Sequence, residues 1–267
     1  MKYSIITINY NNRDGLQRTI ESVKNQTFRD YEHIVIDGGS TDGSVDIIKS
    51  YHKDLSYWIS EKDNGIYQAM NKGILIARGD YLNFMNSGDV FFDQDILACV
   101  YNELENVDIL VGKDYHYSKE KKEGFASILP TRISMITFFM ETLPHQSAFI
   151  KRKLFDDSLY NENLKICADW AFYIKKIVEE GCNVKLFPAI ICQREPGGMS
   201  AIQIDELKKE RMSFLRHFLP KGVYQDYETM ASLDRSTLYK LMSICKNEKS
   251  CKFLTICIKI IYRIFFK

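Results

Sequence analysis

Short β-branched runs and longer segments with helical spacing alternate along the first part of the chain. The apolar run 3–8 is followed by Leu16, Ile20 and Val23 at helical spacing, and then by a second apolar run at 33–36. Strands separated by single helices indicate βαβ crossovers, so we expect an α/β fold with a mostly parallel central sheet flanked by helices. The same alternation predicts further helices over 45–51 and 65–77 and further strands over 56–60 and 80–85.

The alternation is less regular beyond about residue 105. A charged stretch over 115–128 is typical of a ribbon or an exposed loop, and the chain from 205 onward has helical patterns. Gly181 ends a predicted helix over 169–180. Strand-like runs occur at 108–112, 147–150, 184–187 and 189–192.

Two changes of pattern, near residues 110 and 203, divide the chain into three segments. Residues 1–110 contain the regular βα units, and residues 111–203 are interpreted as the second half of the same domain. Residues 204–267 are interpreted as a helical C-terminal extension. No low-complexity linker or internal repeat separates these segments, so the boundaries are assigned from the pattern alone.

The composition is that of a globular chain with one sizeable core or two small ones. Of the 267 residues, 45% are hydrophobic and 13% are aromatic, which excludes disordered and fibrous proteins. The 36 Lys and Arg residues nearly balance the 35 Asp and Glu residues, and the net charge is +1. Such a chain has no global field that attracts nucleic acid, so we expect no nucleic-acid partner and only local binding of anions.

The cysteines and the N-terminal sequence favour a cytoplasmic protein. The seven cysteines form an odd set without a C-x-x-C pair, which argues against a disulfide framework and against a zinc site. The N-terminal apolar run breaks at Asn9, too early for the apolar segment of a signal peptide, so we expect no export. No stretch reaches the roughly 18 uncharged apolar residues that a membrane-spanning helix needs.

The C-terminal end of the chain is both basic and apolar. Many Ile and Phe residues alternate there with basic side chains, against a single acid, Glu248. Such a helix is typical of an interfacial anchor on the anionic inner leaflet of a membrane. A terminal helix that packs on the preceding domain or on a second subunit remains an equal alternative, because the apolar positions nearly surround the helix. The basic residues are Lys246, Lys249, Lys252, Lys259, Arg263 and Lys267.

Polar clusters follow each of the first four predicted strands. In an open α/β sheet, ligands bind outside the carboxyl ends of the strands, and parallel strands bring these ends to one edge. We therefore expect a single crevice that all four clusters line. The clusters are 9–11, 37–43, 61–65 and 86–89.

The residues of these clusters exclude two common nucleotide sites. Neither the G-x-G-x-x-G pattern of dinucleotide-binding domains nor the G-x-x-x-x-G-K-[ST] pattern of P-loops is present. The loops instead supply amides, a phenol and carboxylates. Because carboxylates do not bind phosphate directly, acids beside a phosphate site usually contact ribose or base and hold a divalent cation that bridges to a diphosphate.

The same clusters carry a resemblance to a known family. Segments 4–11, 35–44, 61–74 and 86–89 resemble, in this order, the motifs of the inverting glycosyltransferase family 2. The likeness is greatest to bacterial colanic-acid and exopolysaccharide transferases and extends over residues 3–200. It implies the GT-A fold, with a Rossmann-like sheet, and a nucleotide-sugar donor, expected to be a UDP-sugar. The implied acceptor is a surface polysaccharide or a lipid-linked glycan.

The resemblance implies roles on the donor side of the crevice. Asp37 would contact the uracil or ribose, and Asp89 would bind a divalent cation, Mn²⁺ or Mg²⁺. Gln68 stands where relatives often have Asp, and Asn86 with Gly88 leaves one carboxylate where many relatives have more. These departures favour weak metal dependence and support an alternative, a nucleotide-sugar-binding protein that has lost turnover. The other implied donor-side residues are Thr7, Asn9 and Tyr10 around the base, and Asp63, Asn71, Lys72 and Asn86 along the nucleotide and sugar.

The later motifs imply the acceptor side. His145 lies in a segment, 144–148, that would enter the acceptor half, and Asp169 would be the base that takes the proton of the acceptor hydroxyl. Spacing alone favours Asp169 as a cap or first-turn acid of the helix that begins there, whereas the resemblance favours the base. A glycine loop would close over the diphosphate or the acceptor. Its implied contact residues are Gly197, Gly198 and Ser200.

Overall fold

Four parallel strands alternate with three helices in the N-terminal half of the computed structural model, which describes residues 1–118, 123–197, 202–231 and 248–265. The predicted βαβ alternation is therefore confirmed. Each strand supplies a short β-branched or aromatic run, and each helix places its apolar stripe on the sheet. The elements are β1 (Tyr3–Asn9), α1 (Arg13–Lys24), β2 (Tyr31–Asp37), α2 (Ser44–Ser50), β3 (Tyr57–Ser60), α3 (Ile66–Ile76) and β4 (Tyr81–Phe84).

The second half of the domain continues the same sheet with mixed strand directions. A short 3-10 turn at Arg152–Phe155 follows one of its strands, and a π-helical segment at Ile174–Glu179 extends one of its helices. The predicted helix over 169–180 is confirmed by this pair of helical segments. The elements are β5 (Val90–Phe91), α4 (Ile96–Tyr101), β6 (Ile109–Ser118), β7 (Glu123–Ala126), α5 (Met135–Met140), β8 (Ala148–Lys151), α6 (Ala168–Tyr173) and β9 (Val184–Arg194).

Within the described ranges, one sheet contains the strands in the order β3-β2-β1-β4-β8-β6-β9-β5, and β7 pairs with β6. The first four strands of this order are parallel to one another. β8 runs antiparallel to both β4 and β6, and β9 runs parallel to β6. The carboxyl ends of β1, β2, β3 and β4 therefore lie along one edge, as the α/β pattern predicts.

Two sequence-based expectations need correction in this region. The runs 184–187 and 189–192 were expected as separate strand-like runs, yet β9 is one continuous strand that contains Pro188. The pairing of β9 with β6 shifts register between Val111 and Lys113, so Pro188, which has no N–H group, sits at an irregularity of the ladder. The described residues of 115–128 include the β6–β7 ribbon, whereas the short elements α4, α5 and β5 were not expected.

β1 lies within the core, and every one of its residues is buried. Leu16, Ile20 and Val23 of α1 are fully buried, as their spacing predicts. On α3, a Cβ atom at Gly73 would lie 2.5 Å from Ile6 Cγ2 of β1, which is closer than real contacts allow. The missing side chain at Gly73 therefore lets α3 pack directly against β1, and α3 carries several of the polar residues described below.

Three helices follow the sheet: α7 (Ile204–Phe218), α8 (Lys221–Ala231) and α9 (Glu248–Phe265). The described contacts divide the chain into one unit of Met1–Met212 and another of Ser213–Lys267. The helical character expected from 205 onward is present in each described stretch of this segment. In the described ranges of the chain, no helix combines the length and the hydropathy that crossing a bilayer requires.

Candidate functional site

The polar clusters that follow the four parallel strands meet at the carboxyl edge of the sheet. Asn9 and Asp37 are register partners at the ends of β1 and β2, and Asn9 Nδ2 donates a hydrogen bond to Asp37 Oδ1 at 2.7 Å. A Cβ atom at Gly38 would lie 3.4 Å from Asp63 Oδ2, so the cluster after β3 lies next to the cluster after β2. Asn12, just beyond β1, donates to the backbone oxygen of Ser87 at 3.0 Å. The structure thus brings together the four clusters.

Asp37 is fully buried, and hydrogen bonds saturate its carboxylate. Ser40 donates from its hydroxyl to Oδ1 at 2.6 Å and from its backbone N–H to Oδ2 at 3.0 Å. Ser60 donates to Oδ2 at 2.6 Å. Burial alone would raise the pKa of Asp37, but these donors and Asn9 outweigh it and hold the pKa below its usual value. A nucleoside can therefore reach the carboxylate only when one of the serine hydroxyls turns away.

Two other buried oxygens at this edge accept no hydrogen bond from the described residues. They are Asn9 Oδ1 and Asp63 Oδ2. Tyr10, between the two loops, exposes 68% of its surface, and its ring lies 3.3 Å from the position of a Cβ at Gly38. Unpartnered buried acceptors are costly unless a ligand or water supplies donors, and an exposed ring offers a stacking surface. These features suit a planar ligand that carries N–H or O–H donors.

Lys72 of α3 lies between two acids of the loop that follows β3. Its ammonium forms ion pairs with Asp63 Oδ1 and, at 2.6 Å, with Glu61 Oε1. Burial would lower the pKa of Lys72, but the two carboxylates outweigh this and raise the pKa above its usual value. The ammonium is therefore charged at neutral pH and is held beside Asp63, at the carboxyl edge of the sheet.

The side chains of two residues expected on the donor side form hydrogen bonds with other segments of the protein. Thr7 is fully buried, and its hydroxyl lies 2.9 Å from His33 Nε2 inside the sheet. Asn71 donates to the backbone oxygen of Tyr160 and to Glu162, each at 2.9 Å, and accepts from the N–H of Tyr160 at 3.0 Å. The Asn71 side chain therefore ties α3 to the segment 160–162.

Asp89 lies buried in the loop after β4. Its Oδ1 accepts a hydrogen bond from the backbone N–H of Glu195 at 2.8 Å. Burial raises the pKa of Asp89 to about 7, with a further increase from Asp114 and an opposing effect of the Glu195 N–H and Arg194. Asp114, on β6, is a second buried carboxylate that the sequence analysis did not single out. It accepts from Ser147 at 2.5 Å and lies 3.7 Å from Arg194 Nη1.

The residues around Asp89 fit a hard divalent cation. No group of three or more His, Cys, Asp or Glu side chains that could hold a metal ion occurs in the described residues. Asn86 Oδ1, in the same loop, is buried and accepts no hydrogen bond within the portion of the chain that the structure describes. Carboxylate and amide oxygens are ligands that Mg²⁺ and Mn²⁺ prefer, and Mg²⁺ commonly keeps waters and substrate phosphates as its other ligands.

Asp169 lies in the first turn of α6, where its carboxylate accepts a hydrogen bond from the Tyr67 hydroxyl at 2.7 Å. Just before this helix, Glu210 accepts from the N–H groups of Ile166 and Cys167 at 2.8 and 2.9 Å. Asp169 is thus an acid of the first turn, one of the two roles that its spacing suggested. Glu210 is 43 residues beyond Cys167, so no local signal revealed it.

The other residues expected on the acceptor side lie in different surroundings. His145 is buried and stacked on Phe84, with 5.0 Å between ring centroids, and its Nε2 lies 3.1 Å from the hydroxyl of Tyr160. Burial lowers the pKa of His145, so the ring is neutral at pH 7. Gly197 has a φ of +90°, and no atom of the described residues lies within 4 Å of its Cβ position. Gly198 and Ser200 lie outside the described residues.

Comparison with known proteins identifies what this chain is similar to. The family model described as glycosyl transferase family 2 matches residues 4–182. A glycosyltransferase of Mycobacterium tuberculosis is 31% identical over 242 residues, which are 87% of this chain and 84% of the relative. The cholesterol galactosyltransferase of Borreliella burgdorferi is 32% identical over 245 residues, which are 88% of this chain and 62% of that protein.

Two solved structures share the fold. S. aureus TarS 1–349 in complex with UDP-GlcNAc superposes with a TM-score of 0.63 at 16% identity, over 85% of this chain and 70% of that chain. The mannosyltransferase PcManGT from Pyrobaculum calidifontis, in complex with GDP-Man and Mn²⁺, also gives a TM-score of 0.63, at 15% identity. The superposition covers 97% of this chain and 80% of the mannosyltransferase chain. The expected GT-A fold is confirmed.

Proposed function

Because this chain belongs to glycosyltransferase family 2 and is therefore a glycosyltransferase, we propose that it transfers a sugar, with inversion, from a UDP-sugar to a lipid-linked or surface-polysaccharide acceptor. The donor would bind at the carboxyl edge of β1 to β4. The acceptor would bind on the side of α6. The structural neighbours bind UDP-GlcNAc or GDP-Man, which supports a nucleotide sugar as the donor class.

The donor assignment rests on the unpartnered oxygens beside Tyr10. Asn9 Oδ1 and Asp63 Oδ2 are buried acceptors without donors among the described residues. The imide N–H of uracil and the hydroxyls of ribose are donors of the kind that such oxygens need. The exposed ring of Tyr10 would stack on the base. Asp37 would set the positions of Ser40 and Ser60, or exchange one of their hydroxyls for the nucleoside.

Transfer with inversion needs a base beside the acceptor and no covalent intermediate. Asp169 would take the proton of the acceptor hydroxyl as this oxygen attacks the anomeric carbon from the side opposite the diphosphate. Tyr67 binds Oδ1 of this carboxylate at 2.7 Å and would leave its other oxygen for the acceptor. Burial raises the pKa of Tyr67 well above its usual value, so its hydroxyl remains a donor.

The departing diphosphate needs positive charge at the donor edge. Asp89 and Asn86 would hold a divalent cation, which when bound supplies charge neutralisation to the leaving group. Lys72 adds a fixed positive charge on the same side of the crevice, beside Asp63. The single carboxylate of the 86–89 loop favours weaker binding of the cation than a site with two or three acids.

A lipid-linked acceptor would agree with the composition of α9. This helix exposes Phe253, Ile256, Ile258 and Ile260, and basic residues lie along the same segment. A basic and apolar helix of this kind favours contact with an anionic membrane surface. The protein would then act from the cytoplasmic face of the membrane. The relative from Borreliella burgdorferi is named for transfer to cholesterol, which is a lipid acceptor for that protein.

Thermal melts with UDP and GDP, each with and without Mn²⁺, test the donor assignment. At a hundredfold excess over its dissociation constant, UDP should stabilise the folded chain by about 2.7 kcal/mol. GDP at the same concentration serves as the matched control, and stabilisation by GDP alone would overturn the choice of UDP. UDP-sugars that stabilise the protein are then assayed for hydrolysis and transfer. Binding without either reaction would support the nucleotide-sugar-binding alternative.

A further inference from the structure

Glu195, immediately after β9, lies at a junction between three segments of the chain. Its Oε2 accepts a hydrogen bond from Asn12 Nδ2 at 2.9 Å, and its Oε1 forms an ion pair with Arg18 Nη2. Asn12 caps α1, and Arg18 lies on the same helix. The Glu195 side chain is only 31% exposed. A residue from the far end of the sheet is therefore bound to the beginning of the first helix by both carboxylate oxygens.

The backbone of Glu195 reaches the 86–89 loop at the same point. Its N–H donates to Asp89 Oδ1 at 2.8 Å, and the backbone oxygen of Asp89 accepts from Thr19 Oγ1 of α1 at 2.7 Å. The side chain and the backbone of Glu195 thus make contacts with different partners. Because the carboxylate of Glu195 is fixed to α1, its N–H is held in one position against Asp89.

The 86–89 loop leaves room for this arrangement only because residue 88 is glycine. Gly88 has a φ of +101°, and a Cβ atom there would lie 1.8 Å from Glu195 Oε2. The carboxylate of Glu195 therefore lies in space that any other residue at position 88 would fill. The conformation of the loop and the position of the Glu195 side chain depend on each other.

The preceding residue is held as well. Arg194 Nη1 lies 3.7 Å from Asp114 Oδ2, and Asp114 also accepts a hydrogen bond from Ser147 on the neighbouring strand segment. Arg194 is therefore fixed to β6, and Glu195 is fixed to α1. Together these contacts hold the turn that contains both residues against Asp89. Such outer-sphere contacts orient a carboxylate ligand and tune its affinity for a cation.

We propose that Glu195 is a positioning residue for Asp89. By binding Asn12 and Arg18, it holds its own N–H on Asp89 Oδ1, so that the carboxylate of Asp89 is oriented toward a divalent cation and the diphosphate. This inference rests on the proposed function, because it requires a nucleotide and a cation at the 86–89 loop. Glu195 itself touches neither donor nor acceptor in this scheme.

A purely architectural role predicts a different result from a positioning role. If the junction only stabilises the fold, its loss lowers the melting temperature and leaves the metal dependence of nucleotide binding unchanged. If it positions Asp89, its loss weakens the effect of the cation on UDP binding, while UDP binding without metal remains the same. Calorimetric titration of UDP at a series of Mn²⁺ concentrations separates these two results.

The test uses Glu195→Gln, which keeps the size of the side chain and its bond to Asn12 but removes the ion pair with Arg18. Arg18→Gln removes the same ion pair from the other side. The matched control is Glu103→Gln, since Glu103 pairs with Lys185 at 2.7 Å with a similar exposure of 34%. Both variants at the junction should raise the Mn²⁺ concentration for half-maximal enhancement of UDP binding by about 10-fold to 100-fold, and the control should not.

An unchanged Mn²⁺ dependence in folded Glu195→Gln and Arg18→Gln proteins would overturn the positioning role. Failure of the wild-type chain to bind UDP at any Mn²⁺ concentration would instead overturn the proposed function. When the variants are assayed for transfer, a positioning role also predicts that kcat at subsaturating Mn²⁺ falls and recovers at high Mn²⁺. These outcomes keep the two proposals distinguishable.

Discussion

The hydroxyl of Tyr67 and the carboxylate of Asp169 lie 2.7 Å apart, although 102 residues separate them in the sequence. Tyr67 is on α3, whose other contacts include Lys72 with the donor-side acids and Asn71 with the segment 160–162. One helix therefore contacts both the expected nucleotide site and the expected base. The distance between them is set by α3, which Gly73 allows to pack tightly on β1.

Replacement of Asp169 by Asn should reduce sugar transfer by about 10²-fold to 10⁴-fold, because the amide cannot accept the acceptor proton. UDP binding should persist, since we assign Asp169 to the acceptor and not to the nucleotide. Rates are measured with a UDP-sugar at saturation, and UDP affinity by calorimetry. Asp205→Asn is the control for carboxylate loss, because the Asp205 side chain is 83% exposed. A folded Asp169→Asn protein with the wild-type rate would show that Asp169 is only a first-turn acid.

Replacement of Asp37 by Ala should weaken UDP binding by at least about tenfold. The change removes the acceptor that fixes Ser40, Ser60 and Asn9 at the proposed nucleoside site. Each unsatisfied buried donor also costs about 1–3 kcal/mol of folding stability. Asp42→Asn is the matched control, because Asp42 is in the same loop as Asp37 and accepts hydrogen bonds from Ser44 and from the N–H of Arg13. Equal UDP affinities for the Asp37 variant and the wild type would refute the nucleoside assignment.

The buried imidazole of His33 predicts loss of stability in acid. Burial lowers the pKa of His33 to about 3, from an ordinary value near 6.5, so the unfolded chain binds the proton more readily than the folded chain. Above pH 6.5, His33 therefore does not lower the free energy of unfolding. As the pH decreases from 6.5 toward 3, the free energy of unfolding falls. Between pH 7.5 and pH 4.5, wild type should lose about 3 kcal/mol more than His33→Gln. Urea denaturation at both pH values measures this difference, and parallel losses would contradict it.

Close packing of α3 on β1 predicts that Gly73→Ala is destabilising. The new methyl group would lie 2.5 Å from Ile6 Cγ2, and overpacking of this kind costs about 1–3 kcal/mol. Gly222→Ala in α8 is the matched control, because no atom lies within 4 Å of its Cβ position. That change should stabilise its helix by about 0.5–1 kcal/mol. Urea melts of both variants check the prediction, and a neutral Gly73→Ala would mean that α3 can move away from the sheet.

Removal of residues 252–267 separates the two expectations for the C-terminal helix. An interfacial anchor should bind phosphatidylglycerol vesicles at low salt, with about 1 kcal/mol from each basic side chain near the surface. Truncation should then abolish sedimentation with these vesicles and leave the melting temperature unchanged. A helix that packs on the protein or on a second subunit should instead lower the melting temperature when removed. Phosphatidylcholine vesicles serve as the neutral control, and full-length protein that ignores anionic vesicles would exclude the anchor.

The first four strands could be predicted from the sequence because their signals are local. Runs such as 3–8 and 33–36 have the β-branched composition of buried parallel strands, and α1 has a clear apolar stripe. The position of the polar clusters followed from the topology of a parallel sheet. Asn9 and Asp37 therefore lie together as the sequence indicated, although the saturation of Asp37 by serine hydroxyls had no sequence signal.

The second half was predicted less well because its strand pairing is non-local. β5 has only two residues, and β9 extends through Pro188 by means of a register shift that no local pattern reveals. The contacts of Glu195 with Arg18 and of Asp89 with Glu195 join segments 177 and 106 residues apart. Asp114 was missed for a related reason, since a single acid in a strand signals nothing until its neighbours are known.

The hydrogen bonds of Asn71 with the segment 160–162 can form only late in the synthesis of the chain. Asn71 and its partner Tyr160 are 89 residues apart, which is an interval of about 4–18 s at ribosomal rates of about 5–20 residues per second. The strands β1 to β4, with their helices, precede residue 85 and can pair before Tyr160 emerges. During that interval the nascent chain has the edge to which we assign the nucleotide but lacks Asp169, the base that we propose, so the proposed catalytic centre is complete only after α6 is translated.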